Sequence, residues 1–258
     1  MSHPANSGDV QDPWDNPQAI LDHTQPKLSN AAYLHYADLN EFIKQQAAEC
    51  AEIPSCVILD YGAGASPYKM YFPKADYRRA DITETAYLDY TIKPDSTIPE
   101  QDATFDVILS TQVAEHVINP SVYFKECFRL LKPGGKLILT THGIWQEHGS
   151  PYDFQRWTEE GLKRDLQPAG FKQIELFKLT CGVRAATLFF TLTLFQSRAP
   201  QSGFSRFCFK AFRLTYSKTF CQIHRLLDKW FPDDRIVVVK NAPNNPAFYA
   251  VIAAVAKK

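Results

Sequence analysis

Neither sign of charge prevails in this chain: 28 Lys and Arg stand against 28 Asp and Glu, for a formal net charge of zero. With no basic excess there is no global electrostatic footing for nucleic acid, and no such partner is expected. The six cysteines, Cys50, Cys56, Cys127, Cys181, Cys208 and Cys221, form no C-x-x-C pair and show no metal-ligand spacing with histidine, so no metal is expected. Several sit in apolar runs where reduced core thiols belong, which points to a reducing cytoplasm. No charged-then-apolar leader opens the sequence. Residues 1–28 are polar and rich in Pro, Asp and Asn, and they predict a flexible arm, with Trp14 as a candidate to dock on the rest. The apolar run from Ala185 to Phe195 has eleven residues, whereas a membrane-spanning helix needs about 20.

Two phosphate-binding signatures are missing as well. The glycine-rich turn reads Gly62-Ala-Gly64-Ala-Ser-Pro67, with proline where a dinucleotide fingerprint needs its third glycine. No Gly-Lys-Ser/Thr of a P-loop appears. The turn therefore suits a ligand with no phosphate to neutralise, such as a zwitterionic amino acid joined to a nucleoside. S-adenosylmethionine has that shape.

What is present is the frame of a cored protein: 45% hydrophobic and 22% charged residues over 258 positions. Val57-Ile-Leu-Asp-Tyr-Gly-Ala-Gly-Ala-Ser66 is an apolar run that ends in an acid and a glycine turn, as a buried parallel strand before a ligand site does. Strands are expected at about 56–61, 77–81, 87–92, 105–110, 136–142, 171–178 and 247–256. Helices are expected from Ser29, as N-cap, to Cys50, from Pro67, over 121–131, and after a Thr158 cap. The alternation predicts an α/β fold: a Rossmann-like doubly wound sheet over 29–258, seven-stranded and mostly parallel, with a helical insertion at 180–232 before the last strand.

Asp60-Tyr-Gly-Ala-Gly64, Ala80-Asp-Ile82, Thr104-Phe-Asp-Val-Ile-Leu-Ser110, Glu115-His116 and Arg129-Leu-Leu-Lys-Pro-Gly-Gly135 follow one another in that order. This series resembles the class I S-adenosylmethionine-dependent methyltransferases, over roughly residues 30–178. Thr141-His-Gly-Ile-Trp145 with Pro151-Tyr-Asp-Phe-Gln-Arg-Trp-Thr158 resembles a narrower subset, many of whose bacterial members are associated with cell-surface glycan or lipid-linked saccharide synthesis. This chain has Gln155 where those sequences carry a second aromatic. The resemblance implies that the final strand is antiparallel and that S-adenosylmethionine is the cofactor. It implies that Asp60, Gly62 and Gly64 hold its methionine part, that Asp81 accepts the ribose hydroxyls, that Asp95 reaches the adenine and that Gln112 lies near the methionine end.

Methyl transfer from a sulfonium is an in-line displacement, in which the protein mainly aligns the acceptor and excludes water. A hydroxyl acceptor gains from a base titrating near neutrality, and histidine fits. His142, at the end of a strand, is the first candidate, His116 the second and His148 the third. Asp153 and Arg156 lie on the same side, where Arg156 either grips an acidic acceptor or pairs with Asp153 to brace the loop. The expected activity is O-methylation of a small or lipid-linked, saccharide-like acceptor. Carbon or nitrogen methylation of a quinone-like or amine metabolite, and a non-catalytic cofactor-binding scaffold, stand as alternatives.

The 180–232 insertion carries Arg198, Arg206, Lys210, Arg213, Lys218, Arg225 and Lys229 among Phe204, Phe207, Phe209, Phe212, Tyr216, Phe220, Trp230 and Phe231. Two compatible roles fit that pattern. One is a helical lid with its aromatics on the sheet, and the other is a helix lying at an anionic membrane surface, which would put the protein at the inner face of the membrane.

Overall fold

The structure is a computed structural model and describes residues 17–84, 87–239 and 245–258. Trp14 and residues 1–16 of the expected arm lie outside these. Five strands build the parallel half of the sheet: β1 (Val57–Tyr61), β2 (Asp76–Asp81), β3 (Tyr90–Thr91), β4 (Phe105–Thr111) and β5 (Leu131–His142). Short apolar runs such as Val-Ile-Leu in β1 and Val-Ile-Leu in β4 have no polar face to show to water, so they form where helices cover both sides. β6 (Gln173–Cys181), β7 (Ile236–Val238) and β8 (Tyr249–Lys257) complete the sheet in the order β3-β2-β1-β4-β5-β8-β6-β7. β8 runs antiparallel to both β5 and β6, as expected for the final strand. The sheet has eight strands rather than seven, because Ile236–Val238 adds an antiparallel edge to β6.

Pro17–Thr24 is a helix, α1, where an arm without structure is expected. It is tied to the next helix through Asn40 Nδ2, which donates to the Thr24 carbonyl at 2.8 Å. That next helix, α2 (Tyr33–Cys50), starts at Ala32 rather than at Ser29, and no side chain caps it. α2 lays Leu34, Leu39, Phe42 and Ile43 on one face of the sheet. α3 (Pro120–Leu130) and α4 (Glu159–Leu166) cover the other face with Tyr123, Phe124, Leu162 and Leu166. Thr158 caps α4 as expected, its hydroxyl accepting from Gly161 N. The expected helix from Pro67 is a single 3₁₀ turn, Lys69–Tyr71.

The insertion forms two helices, α5 (Gly182–Gln196) and α6 (Gly203–Trp230). Phe190 and Phe195 of α5 meet Phe212, Tyr216 and Phe220 of α6 edge-on or tilted. The pair is anchored at its base by a buried ion network. Arg184, fully buried, donates to both carboxylate oxygens of Asp38 at 2.7 and 3.1 Å and to Asp228 at 2.9 Å. Thr180 and Arg235 donate to the same Asp38 at 2.9 and 2.8 Å. No described helix is long and apolar enough to cross a membrane.

Candidate active site

The parallel half ends in a crevice at the carboxyl edges of β1, β2, β4 and β5, where doubly wound sheets bind ligands. The glycine turn forms its floor. Gly62 has φ +77°, and a Cβ there would come within 2.5 Å of the Val113 side chain, so no larger residue fits. Gly64 also has positive φ, +47°, but a Cβ there would meet nothing within 4 Å. Its free side faces open space. The turn is held from β2: Gly62 N and Ala63 N donate to the Ala80 carbonyl at 2.9 Å, and Gly64 N donates to Asp81 Oδ2 at 2.8 Å. The other oxygen of Asp81 accepts from Ile82 N at 2.7 Å. Asp81 thus ties the turn to the end of β2.

Asp60 is buried and accepts from the Tyr77 hydroxyl at 2.7 Å. Burial pushes its carboxyl up from 3.8 to about 7, against the pull of the Tyr77 hydrogen bond. Asp95 sits in the turn after β3 and accepts from Thr97 N and Thr97 Oγ1, which hold its carboxyl below the usual range. That turn is fixed from β1, because the Tyr61 hydroxyl donates to the Ser96 carbonyl. Gln112 has φ +55°, its Nε2 donates to Thr140 Oγ1 at 3.1 Å, and its Oε1 is buried with no partner.

A cavity of about 310 Å³ opens here, with Gly62, Gly64, Tyr68, Gln112, His35 and Leu39 among its lining. The size lies at the lower end of small-molecule sites. His35 is contributed by α2 and was not singled out in the sequence, where it looks like one more residue of a helix face. Burial pushes its imidazole down to about 3, so it is neutral, and its Nδ1 has no hydrogen-bond partner.

Beside the cavity, β4 and β5 bring a second group together. Register pairs Thr111 with Thr140, so the residues just beyond, Glu115 and His142, meet at the strand ends. Glu115 is fully buried and accepts from Thr141 Oγ1 at 2.7 Å. Its Oε1 lies 3.3 Å from His142 Nε2 without hydrogen-bond geometry. His142 stacks flat on Trp145, centroids 4.5 Å apart, and lies 6.0 Å from the His35 ring. Burial, with the neighbouring histidines and Arg156, pushes His142 far down and keeps it neutral, and burial raises Glu115. Glu115 is a residue that spacing alone did not nominate, although it sits in the Glu-His pair of the motif series.

The two lower-ranked histidines are close by. His116 Nδ1 bonds the Tyr152 carbonyl and packs against His148 at 4.7 Å, and His148 packs against His142 at 4.9 Å. Arg156 donates to both oxygens of Asp153, at 2.6 and 2.8 Å, and to the carbonyls of Trp145, Gln146 and Gln155. Its donors are thus spent inside the loop, and of the two roles the sequence allowed for this pair, bracing is the one these bonds describe. The loop is pinned across both strand ends, by Phe154 N to the Glu115 carbonyl and Trp157 N to the His142 carbonyl. α5 closes the top, with Phe189 edge-on to Trp145 at 5.7 Å.

Residues 59–139, which run from β1 into β5 and form the floor of the crevice, match a family described as a methyltransferase domain. That stretch is similar to a methyltransferase domain. The chain is 31% identical over 137 residues to a Mycolicibacterium smegmatis protein named as an S-adenosylmethionine-dependent methyltransferase, a match covering 50% of this chain and 48% of the relative. A ubiquinone biosynthesis O-methyltransferase from Maricaulis maris is 48% identical over 44 residues, 17% of each chain. The chain therefore spans at most about half the length of these curated relatives. In fold, the chain superposes on the crystal structure of a methyltransferase from Thermotoga maritima with a TM-score of 0.50 at 15% identity, covering 93% of this chain and 98% of that one.

Proposed function

We propose that this protein is an S-adenosylmethionine-dependent methyltransferase that transfers the methyl group to an oxygen of a small or lipid-linked, saccharide-like acceptor. The observation that carries the proposal is the glycine turn: Gly64 faces open space on a cavity of about 310 Å³, and the buried, unpartnered Gln112 Oε1 is a polar atom in need of a ligand. These residues suit the methionine end of the cofactor. Asp60, Asp81 and Asp95 lie outside the lining of this cavity, and in this reading Asp60 serves the methionine end, Asp81 the ribose hydroxyls and Asp95 the adenine. When bound, the cofactor supplies an electrophilic methyl group on a sulfonium.

The chain's own residues then have three tasks. Leu39 and His35 from α2 and Phe189 with Trp145 close the crevice, which removes water from an in-line displacement. His142 Nε2, 3.3 Å from Glu115 Oε1, is the group at the end of β5 that takes the proton of the acceptor hydroxyl; burial holds this imidazole far below the titration range of an ordinary base, so the step needs the site to favour the imidazolium once the acceptor is bound. Asp153 and Arg156 hold the loop that shapes the mouth. Oxygen as the target is favoured by the base at the end of β5 and by relatives named as ubiquinone biosynthesis O-methyltransferases.

The proposal is tested with labelled S-adenosylmethionine and fractionated cell extract. The protein should transfer label to a specific fraction, and His142→Ala should bind the cofactor with unchanged affinity while turnover falls by about 10²–10⁴-fold. Full turnover in that variant refutes the base assignment. No binding of cofactor or of S-adenosylhomocysteine by the unaltered protein refutes the function.

A specific observation also favours contact with a membrane's inner face. At the start of α6, Phe204 and Phe207 are 80% and 69% exposed, and Arg206 and Lys210 are exposed between and beyond them. Apolar rings interleaved with cations at the end of a helical hairpin match an anionic bilayer surface. Flotation with vesicles containing phosphatidylglycerol should carry the protein, and Phe204→Ser with Phe207→Ser should leave it in solution. Equal flotation of both proteins refutes this placement.

A further inference from the structure

Glu115, His142 and His148 each offer a ligand atom, and these atoms all lie within 4.8 Å of one another. They come from three places in the sequence: the turn after β4, the end of β5 and the loop beyond it. Cysteine and histidine spacing could not reveal the group, and the expectation of no metal was drawn from spacing alone.

Three features distinguish this cluster from a chance meeting of polar side chains. The first is burial. Glu115 and His142 have side-chain exposures of 0% and 4%, and His148 is 32% exposed. Buried polar groups normally satisfy one another with hydrogen bonds. The second is that part of their capacity is unmet: Thr141 Oγ1 donates to one oxygen of Glu115, but Glu115 Oε1 and one nitrogen of each imidazole, His142 Nδ1 and His148 Nδ1, lack a hydrogen-bond partner. The third is spacing. Glu115 Oε1 and His142 Nε2 lie 3.3 Å apart, which is about the separation of two ligand atoms on a tetrahedral ion with bonds of about 2.0–2.1 Å.

We propose that Glu115, His142 and His148 form a binding site for a divalent transition-metal ion, of the two-histidine, one-carboxylate type. That donor set suits zinc and the first-row ions, and excludes calcium and magnesium as preferred occupants because those ions favour all-oxygen shells. Two ligand atoms on one ion can be at most about 4.2 Å apart, so the widest pair must close by several tenths of an ångström. His148, on a partly exposed loop, has room to turn. Behind it, Asp153 Oδ2 accepts from His148 N at 2.9 Å, which anchors the loop that carries the imidazole. Arg156 is near, but its guanidinium is gripped by both oxygens of Asp153, which offsets its charge.

The site lies outside the glycine turn but uses His142 and Glu115, the pair proposed above to take the acceptor's proton, so an ion bound there replaces that role; its test uses neither cofactor nor acceptor. Chelator-stripped protein is titrated with Co²⁺ alone, with visible absorption and tryptophan fluorescence as readouts. One equivalent should bind, with the visible bands of a histidine-bound ion and quenching of Trp145, which stacks on His142. Trp145→Phe should keep the absorption and lose that share of the quench. His148→Ala should weaken binding at least tenfold. Glu115→Gln should do the same, and because His148 is partly exposed its variant remains informative if the buried Glu115→Gln does not fold. Absence of saturable binding, or binding unaffected by His148→Ala, overturns the proposal.

Discussion

Asp60 should make cofactor binding depend on pH in a way that depends on this one carboxyl. It is 3% exposed, and burial lifts its titration from 3.8 to about 7. The ionised form in the empty site is therefore destabilised by about 4 kcal/mol relative to water. The sign follows from proton uptake. Between 3.8 and about 7 the folded state holds a proton that the unfolded chain has lost, so this group's contribution to stability declines as pH rises through that window and is level above it. In the proposed binding mode the ammonium of the methionine end lies over the turn and favours the ionised carboxylate. Binding then releases a proton, and affinity for S-adenosylhomocysteine should rise about tenfold from pH 6 to pH 8, a change of about 1.4 kcal/mol. Calorimetry in two buffers of different ionisation enthalpy measures both the affinity and the proton count. Asp60→Asn keeps an oxygen for the Tyr77 hydroxyl and should remove the slope. A flat affinity in the unaltered protein, or an unchanged slope in Asp60→Asn, refutes the assignment of Asp60 to the ligand.

Other outcomes separate the parts of the molecule. Gly62→Ala forces a Cβ to within 2.5 Å of Val113 at φ +77° and should lower stability by about 2–4 kcal/mol in urea unfolding. Gly64→Ala meets nothing within 4 Å, so it should cost about 1–2 kcal/mol of folding while weakening cofactor affinity, because its methyl enters the cradle. Asp38→Ala leaves the fully buried Arg184 with Asp228 as its one carboxylate and should cost about 3 kcal/mol, whereas Asp38→Leu combined with Arg184→Met should recover much of that loss. If the double variant is no more stable than the single one, the buried charge is not the source of the cost.

Much of the fold was legible because its signals are local. The apolar runs of β1 and β4, the Pro-Gly-Gly turn before the apolar part of β5 and the Thr158 cap each fit within a few neighbouring residues. β7 was missed because Ile236–Val238 is three residues long and becomes a strand only by lying against β6. α1 was missed because its polar composition reads as an arm, while its order comes from contact with α2. The same division runs through the site. Asp60, Gly62, Gly64 and Asp81 belong to one turn and the strand beside it, so a short motif finds them. Glu115, His142 and His148 meet because β4 and β5 share a register, and His35 arrives from a helix that precedes β1. Such meetings are set by the packing of the sheet, and no spacing rule carries them. Asp153 and Arg156 were seen as a pair, and their hydrogen bonds are the ones a brace would make.

The position of β8 has a consequence for how the molecule assembles. Among the described residues β6 bonds only to β8 and β7, so it has no route to β5 until β8 slots between them. During synthesis β6 and the helical hairpin emerge before β8 does, and in that interval the half with the ligand cradle can consolidate while the other half waits with an open edge. Cells making this protein would then have a window in which a chaperone is useful, and trimming back into Tyr249–Lys257 would sever the sheet at its middle.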